Sequence, residues 1–372
     1  MKHVVIISNI PSPYRAALFA YLQENSPGYR FSILYTGTTE EDRAWSVDCA
    51  QLKSSYFLHA RVLNVRGGEV GGTARRFIHL SGGMGDMLAK LKPDVIIASE
   101  YNPSAIQALM YAKRRRIPYI NLTDGTLHSE SYIGFVQKLT RKLIISQAQA
   151  FLASSTKAKE KLLYWGAEEK KIATSYLTVD VSPYVSLRRQ PEPNRILYVG
   201  RISREKGLDL LIAALAHTQA PCTLHVVGND VGQEQQKLLA LSKELGVENR
   251  ICWLGYREGE ALLQEYAGAG ILAVPSRSDC FGLVMLEAAC AGVPVVASRY
   301  ADGAYDIITP GTNGQIADPE DAVAFAAALD AGMQQKQPDE ALRHSLAEKF
   351  SFRKAAEGYA QALSIALGGR VG

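Results

Sequence analysis

Short apolar runs alternate with helical patterns along this chain, and the alternation occurs in two series. Strands that alternate with helices form a parallel sheet covered by helices on both faces. The pattern therefore predicts an α/β fold with two Rossmann-like halves. The predicted strands of the first half are residues 4–7, 31–34, 95–98, 119–122 and 150–153, and those of the second are residues 196–199, 224–227, 251–254, 271–274 and 293–297.

A polar segment, residues 181–194, separates the two series and carries Pro183, Pro191 and Pro193. Prolines in a polar stretch favour a linker. A chain of 372 residues is also too long for one compact core. We expect an N-terminal domain over residues 1–180, a linker over 181–194 and a C-terminal domain over 195–349. The closing segment, residues 350–372, has an amphipathic helical pattern.

The stretch after the predicted strand 271–274 places two carboxylates, Asp279 and Glu287, eight residues apart around Phe281 and Gly282. A helix is expected over residues 283–291, so Asp279 lies on a loop and Glu287 on the helix. The backbone N–H groups of residues 282–284 then sit at a helix N-terminus, which favours an anionic ligand such as a phosphate.

The predicted strand 196–199 runs into a second loop, which contains Gly200, Arg201 and Lys206 before a helical pattern starts at Leu208. Gly200 allows the backbone to turn without a Cβ penalty. The planar guanidinium of Arg201 and the compact ammonium of Lys206 suit a diphosphate.

In this order and spacing, the two loops resemble the nucleotide-sugar site of the retaining glycosyltransferases with the GT-B fold, the glycosyl transferases group 1 family. The resemblance is strong over residues 195–320 and implies two Rossmann-like domains facing each other across a cleft. It assigns Glu287 to the nucleotide ribose and Asp279, in place of the family's Glu, to the donor sugar hydroxyls. Residues 350–372 are then expected to cross back to the N-terminal domain. The site residues implied are Arg201, Lys206, Asp279 and Asp124 for catalysis, and Glu287, Gly200, Phe281, Gly282, Leu283, Val284 and Arg15 for donor binding.

In the N-terminal half, the loop after the first strand lacks the Gly-Gly pair common in this family, and Arg15 follows it. Arg15 either supplies charge to the donor or is a surface arginine in the first helical turn. Asp124 follows the strand 119–122, where relatives often place a His near the reacting sugar, although Asp-Gly is also an ordinary turn. Glu100, at another strand end, either binds an acceptor hydroxyl or serves a turn or a helix cap.

The activity implied by the resemblance is hexosyl transfer from a nucleoside diphosphate sugar to a hydroxyl of a glycan or lipid-linked glycan, with retention, in surface polysaccharide or glycolipid synthesis. No cofactor is expected, and no metal, because Arg201 and Lys206 can neutralise the diphosphate. Two alternatives stay open. One is a nucleotide-sugar epimerase or hydrolase of the same architecture, and the other is an inactive nucleotide-sugar-binding protein, for which Asp279 in place of Glu is the clue.

Charge and hydropathy set further expectations. The net charge of +4 is too small to favour a nucleic-acid partner. No stretch approaches the roughly twenty apolar residues that cross a bilayer, and the chain starts directly with a strand pattern, so we expect a cytoplasmic protein. Residues 133–145 form a basic amphipathic pattern. Such a helix packs on the sheet or lies on a membrane surface, which leaves peripheral contact with the inner face of the cytoplasmic membrane open.

Glycine pairs at residues 67–68, 71–72 and 82–83 punctuate the region before the third predicted strand. No predicted strand precedes them, so they do not match a phosphate-binding glycine motif. We expect an irregular loop region there.

Overall fold

The computed structural model describes residues 1–38, 52–69 and 72–369. The chain divides into two compact units. Met1–Glu69, Thr73–Val179 and Phe350–Gly372 form the first unit, and Asp180–Lys349 form the body of the second. The C-terminal segment thus returns to the unit in which the chain begins.

The first unit is built on a seven-stranded parallel sheet of order β3-β2-β1-β6-β7-β8-β9. Every predicted strand of this half is present. Two short strands, β3 and β9, extend the sheet at its edges and were not predicted. The strands are β1 (Lys2–Ser8), β2 (Tyr29–Tyr35), β3 (Ser55–Phe57), β6 (Val95–Ser99), β7 (Tyr119–Thr123), β8 (Ala150–Ala153) and β9 (Ile172–Thr174).

Helices cover both faces of this sheet, as the unbroken apolar strands require. Because side chains alternate along a strand, Val5 and Ile7 of β1 pack in one buried cluster and Val4 and Ile6 in another. The C-terminal helix α14 packs in the second cluster. The helices are α1 (Pro13–Asn25), α2 (Met84–Leu91), α3 (Pro103–Arg115), α4 (Phe135–Gln147), α5 (Thr156–Tyr164) and α14 (Phe352–Ala366).

The region of the glycine pairs is not the irregular loop that we expected. β4 (Ala60–Glu69) and β5 (Gly72–Ser81) form a separate two-stranded sheet. Gly71 lies outside the described residues, and Gly83 takes φ +74 at the start of α2. Strand pairing here outweighs the low strand propensity of glycine, which is a weak preference that context overrides.

The second unit holds a six-stranded parallel sheet of order β12-β11-β10-β13-β14-β15. Counted along the chain this is the order 3-2-1-4-5-6, the doubly wound arrangement of nucleotide-binding sheets. The edge strand β15 was not predicted. The strands are β10 (Arg195–Val199), β11 (Thr223–Val227), β12 (Ile251–Gly255), β13 (Ile271–Val274), β14 (Val295–Ser298) and β15 (Gly314–Ala317).

A short helix, α6, occupies part of the segment expected to be a plain linker. A core cluster of this unit joins β10 and β11 to α7 and α12. The helices are α6 (Ser182–Val185), α7 (Leu208–Leu215), α8 (Glu234–Glu244), α9 (Gly259–Gly268), α10 (Leu283–Ala291), α11 (Ala304–Ile307), α12 (Ala322–Gln334) and α13 (Glu340–Lys349). Among all helices in the described ranges, none combines the length and apolar character needed to span a bilayer.

Candidate active site

The two motif loops of the second unit meet at the point where its sheet changes winding direction. β10 and β13 are neighbours in the sheet, although β11 and β12 come between them in sequence. Loops at the carboxyl ends of two such strands open a crevice, which is where doubly wound sheets bind ligands. The loop after β10 carries Arg201 and Lys206, and the loop after β13 carries Asp279.

Lys206 and Asp279 form an ion pair across this crevice. The Lys206 Nζ lies 2.7 Å from Asp279 Oδ2, and both side chains keep part of their surface exposed. Burial acts to lower the pKa of Lys206, but the carboxylates of Asp279 and Glu205 outweigh it and raise that pKa above its ordinary value. Lys206 is therefore a cation at physiological pH, already held next to the carboxylate predicted to bind the donor sugar.

Arg201 lies on the same loop, with its Nη2 3.4 Å from Glu205 Oε2. The phenol of Tyr198, on β10, donates a 2.7 Å hydrogen bond to the carbonyl of Arg201. This bond fixes the backbone of the loop at the position where the guanidinium starts. Gly200 precedes Arg201, and its N–H donates to the carbonyl of Val227 on β11 at 3.0 Å.

A second arginine, Arg277, holds the two loops together and was not singled out from the sequence. Its guanidinium donates to both carboxylate oxygens of Asp209 at 2.7 Å, and to the carbonyl of Arg204 at 2.9 Å. Its own N–H donates to the carbonyl of Glu205. Arg277 is buried, so it acts as a clamp between the loops.

Two glycines allow backbone segments of the site to touch. Gly207 follows Lys206 with φ +69, and a Cβ built there would lie 2.2 Å from the carbonyl oxygen of Pro275. A Cβ on Gly303 would lie 2.0 Å from the carbonyl oxygen of Phe281. Only glycine fits such approaches. Gly207 therefore lets the Lys206 loop lie against the Asp279 loop, and Gly303 lets the loop after β14 do the same.

Helix α10 has the bounds predicted from the sequence, and its N-terminus faces the end of the Asp279 loop. Gly282 is the N-cap with φ +73, and the first recorded bond of the turn runs from the N–H of Met285 to the carbonyl of Gly282. The N–H groups of Gly282, Leu283 and Val284 precede that bond and sit at the positive end of the helix dipole. The Phe281 ring is buried, so only its backbone can serve a ligand.

Glu287, on the second turn of α10, is held by two tyrosines. The phenol of Tyr266 donates a 2.7 Å hydrogen bond to Glu287 Oε2, and Tyr184 also bonds to this carboxylate. The two rings meet edge to face with centroids 5.5 Å apart. Burial raises the pKa of Glu287, and the two phenols oppose this only in part. Nothing in the sequence signals either tyrosine, because Tyr184 lies in the expected linker and Tyr266 on α9.

Arg15 and Asp124 both belong to the first unit, where they are partners of each other. The Arg15 Nη2 lies 2.5 Å from Oδ1 and 2.6 Å from Oδ2 of Asp124. The Arg15 side chain is only 9% exposed, so the interpretation as a surface arginine is wrong. Its guanidinium neutralises Asp124 and orients that carboxylate.

Glu100 takes part in the same turn. Its backbone has φ +63, uncommon for a residue with a side chain. The Glu100 Oε1 accepts from the N–H of Asp124 at 2.6 Å, and Oε2 accepts from the hydroxyl of Thr123 at 2.9 Å. Of the two interpretations left open, the turn role is the one observed. Burial raises the pKa of Glu100, although Lys161 opposes this.

Behind this turn lies a buried ionic network that sequence patterns did not reveal. Lys161, with no exposed side-chain surface, donates to Thr123 Oγ1 at 2.7 Å and to Glu130 Oε1 at 3.0 Å. Arg141 binds the other oxygen of Glu130 at 2.7 Å. A Cβ on Gly125 would lie 2.5 Å from Glu130 Oε1, so the network lies directly against the residue after Asp124.

Within the described ranges, no group of three or more His, Cys, Asp or Glu side chains is placed to hold a metal ion. The charged groups of the candidate site are those named above.

Known proteins resemble this chain in sequence and in fold. The model of the family "Glycosyl transferases group 1" matches residues 185–349. A lipopolysaccharide 1,6-galactosyltransferase of Salmonella typhimurium is 31% identical over 180 residues, which are 47% of this chain and 50% of that relative. The match thus spans about half the length of the relative.

Two solved structures match nearly the whole chain. One is the lipopolysaccharide outer core galactosyltransferase WaaB in its apo form, with TM-score 0.75, 20% identity and coverage of 97% of this chain and 99% of that one. The other is Anabaena Alr3699/HepE in complex with UDP-glucose, with TM-score 0.72, 18% identity and coverage of 98% and 100%. At these identities they show the fold, which is GT-B. Residues 185–349 thus match the glycosyl transferases group 1 family, and the chain has the GT-B fold.

Proposed function

We propose that this chain is a retaining glycosyltransferase that moves a hexosyl group from a nucleoside diphosphate sugar to a hydroxyl of a glycan or lipid-linked glycan. The observation that carries the proposal is the Lys206–Asp279 pair at the winding switch of the second unit, beside Arg201 and the N-terminus of α10. The pair supplies a cation for a diphosphate and a carboxylate for sugar hydroxyls in one crevice.

Each group has a role in holding the donor. Arg201, Lys206 and the N–H groups of residues 282–284 bind the diphosphate. Asp279 accepts from hydroxyls of the sugar, and Glu287 accepts from the ribose hydroxyls while its two tyrosines hold it in place. A uridine nucleotide is the first candidate, because the HepE structure of the same fold is a complex with UDP-glucose.

In the reaction, the acceptor oxygen forms a bond to the anomeric carbon as the bond between that carbon and the diphosphate oxygen breaks. The proton of the acceptor hydroxyl passes to the departing diphosphate, on the same face of the sugar, which gives retention. Negative charge grows on the leaving group, so preorganised cations and N–H dipoles lower the barrier. We propose that Arg201 and Lys206 carry this role without a metal ion, and that no cofactor takes part.

Asp124 is the proposed acceptor-side group. Its carboxylate is oriented by Arg15, and its N–H is bonded to Glu100. With its carboxylate oriented by Arg15 and its backbone fixed by Glu100, Asp124 can position an acceptor hydroxyl or stabilise positive charge on the reacting sugar. The similarity to a lipopolysaccharide galactosyltransferase favours an acceptor in surface polysaccharide or glycolipid synthesis, and hence action at the cytoplasmic side of the membrane.

The first test is calorimetric binding of UDP, GDP, ADP and their common sugar conjugates to the wild-type chain, Glu287→Ala and Arg201→Ala. We expect one nucleotide to bind selectively, with affinity at least about tenfold weaker in each variant, because each loses a charged hydrogen-bonding group. Arg257→Ala, which changes an arginine of the same unit outside the motif loops, is the matched control. Binding of no nucleotide, or equal binding by all proteins, would sink the assignment.

Product analysis then tests the reaction itself. A transferase consumes donor in step with acceptor, and the anomeric configuration of the product reports retention. Release of free or altered sugar without an acceptor would instead indicate the hydrolase or epimerase. Tight donor binding without turnover on any acceptor would indicate an inactive binding protein.

A further inference from the structure

Helix α4 of the first unit exposes four of its apolar side chains, beginning at its first residue. Phe135 is 80% exposed and Val136 69%. Leu139 and Leu143, one and two turns further on, are also exposed, whereas the buried residues of the helix are Arg141, Ile144 and Ile145. The sequence allowed such a helix either to pack on the sheet or to lie on a membrane surface. Its first half presents its apolar side to the outside of the unit.

A cleft of about 770 Å³ lies beside these side chains. Ile133, Leu139 and Trp165 line it, and Tyr164 stands at its edge with its ring largely exposed. Tyr132 and Leu127 add exposed apolar surface nearby in the chain. We call α4, this cleft and the end of α5 the α4 face. A contiguous apolar patch of this kind marks an interaction site.

Two lysines of the α4 face, Lys138 and Lys142, differ from the neighbouring cations in their ion pairing. Along α4 and α5, Arg141 and Lys161 pair with Glu130, Lys157 pairs with Glu160, and Lys159 pairs with Glu169. Lys138 and Lys142 line the cleft, and neither has an ion-pair partner in the part of the chain that the structure describes. These two ammonium groups are thus available to an external anion.

We propose that the α4 face is a docking site for an anionic lipid bilayer. Exposed aromatic and aliphatic groups interleaved with lysines are what an interfacial helix needs, because the rings enter the acyl boundary while the ammonium groups meet lipid phosphates. The apolar part of the cleft, at Ile133, Leu139 and Trp165, offers space for part of a lipid chain. Charge complementarity favours this occupant over a neutral apolar partner.

The α4 face also lies next to the candidate acceptor-side group, so the inference deepens the proposed function and rests on it for its purpose. Glu130 forms part of the cleft wall. The same carboxylate lies against Gly125 and is bridged by Lys161 to Thr123, on either side of Asp124. A bilayer docked here would bring lipid-linked acceptors close to the Asp124 turn.

Co-sedimentation of the full chain with vesicles tests the proposal. The probes are vesicles of phosphatidylcholine alone and of phosphatidylcholine mixed with phosphatidylglycerol. We expect binding to the anionic vesicles only, weakened by raising the salt from about 0.1 M to 0.5 M. The double variant Phe135→Ser/Val136→Ser should bind the anionic vesicles at least about tenfold more weakly than the wild type. The double variant Lys138→Glu/Lys142→Glu should weaken vesicle binding by about fivefold or more for each lysine changed.

Two matched control variants change exposed residues of the second unit. Val323→Ser/Leu239→Ser controls for the loss of apolar side chains, and Lys243→Glu/Lys336→Glu controls for the change of charge. Both should bind vesicles like the wild type. Nucleotide calorimetry on every variant, without vesicles, checks folding and tests the donor site separately. Failure of donor binding would overturn the proposed function and leave the vesicle result standing.

Three outcomes would overturn the membrane proposal. These are no binding of the wild type to anionic vesicles, no loss in either α4 variant, and equal losses in the controls. Sedimentation velocity supplies a fourth. If the wild type self-associates and the double variant Phe135→Ser/Val136→Ser abolishes the self-association, the α4 face binds a second copy of the chain instead.

Discussion

The charged groups of the two units are arranged in opposite ways. In the second unit, the Lys206–Asp279 pair lies between two loops and keeps part of its surface exposed. In the first unit, Lys161 has no exposed side-chain surface, and its ammonium is shared by Thr123 and Glu130, which Arg141 also binds. A closed network is complete without a ligand, whereas a half-open pair can exchange part of its contacts for an incoming diphosphate and sugar. The closed network of the first unit therefore suits a structural role, and the half-open pair of the second unit suits the ligand binding proposed above.

The largest expected effect separates the two directly, through Lys161→Met. Removing this ammonium leaves Glu130 short of one partner, and it removes the cation that opposes the raised pKa of Glu100. Both carboxylates are largely buried. Breaking a buried ionic group in this way costs about 3–5 kcal/mol of unfolding free energy. Urea unfolding measures it, with Lys157→Met on the same helix as the control, expected to cost at most about 1 kcal/mol. A loss for Lys161→Met no larger than for the control would mean that the network is not closed.

The counterpart in the second unit is Lys206→Met. We expect a small effect on unfolding free energy, because the pair is partly solvated. Nucleotide-sugar affinity should fall by roughly tenfold to a hundredfold, since charged hydrogen bonds contribute about 1.5–3 kcal/mol. Calorimetry gives the affinity and urea unfolding the stability, with the exposed Lys237→Met as the control. If Lys206→Met loses as much stability as Lys161→Met but keeps its nucleotide-sugar affinity, the two charged groups do not differ in role.

The smallest expected effect tests whether Glu287, the residue proposed to bind the ribose, lowers the stability of the second unit. Burial raises the pKa of Glu287 above 4.5. The folded state then binds a proton more readily than the unfolded state, so ionised Glu287 lowers stability at pH values above its raised pKa. Glu287→Gln should therefore raise stability at about pH 7 and lose this advantage as the pH falls through that pKa toward 4.5.

Thermal unfolding across that pH range measures the effect of Glu287→Gln, and nucleotide affinity should fall in the same variant. The exposed Glu244→Gln serves as the control and should change neither quantity. Lower stability of Glu287→Gln at neutral pH would show that the two tyrosine bonds outweigh the cost of burial.

The comparison also explains which parts could be predicted from the sequence. All ten predicted strands are present, and α10 has its predicted bounds, because apolar period and glycine stops are local signals. The loop positions of Arg201, Lys206 and Asp279 were predictable because each residue follows the end of a strand, and their roles remain proposals. The β4–β5 pair was missed because strand pairing outweighs glycine's low propensity. The edge strands β3, β9 and β15 were missed because short strands depend on their neighbours.

Other contacts leave no trace in the sequence. Tyr184 lies in a stretch with the composition of a linker, yet it bonds to Glu287, about a hundred residues away in the chain. Arg277 and Asp209 are 68 residues apart, and Lys161 and Glu130 are 31 apart. A lysine in a helical pattern looks the same whether it is solvated or fully buried, since only the surrounding elements decide its exposure.

The sequence by itself determined the α/β class, ten of the strands and their alternation with helices, and the residue types of the two loops of the second unit. These follow from side-chain periodicity and from the properties of glycine, lysine, arginine and carboxylates over short spans. Only the tertiary structure decided that Arg15 binds Asp124, that Lys161 is buried, and that Phe135 and Val136 face outward. Pairing and burial depend on which strands are neighbours in a sheet, and that order brings together residues that no local pattern connects.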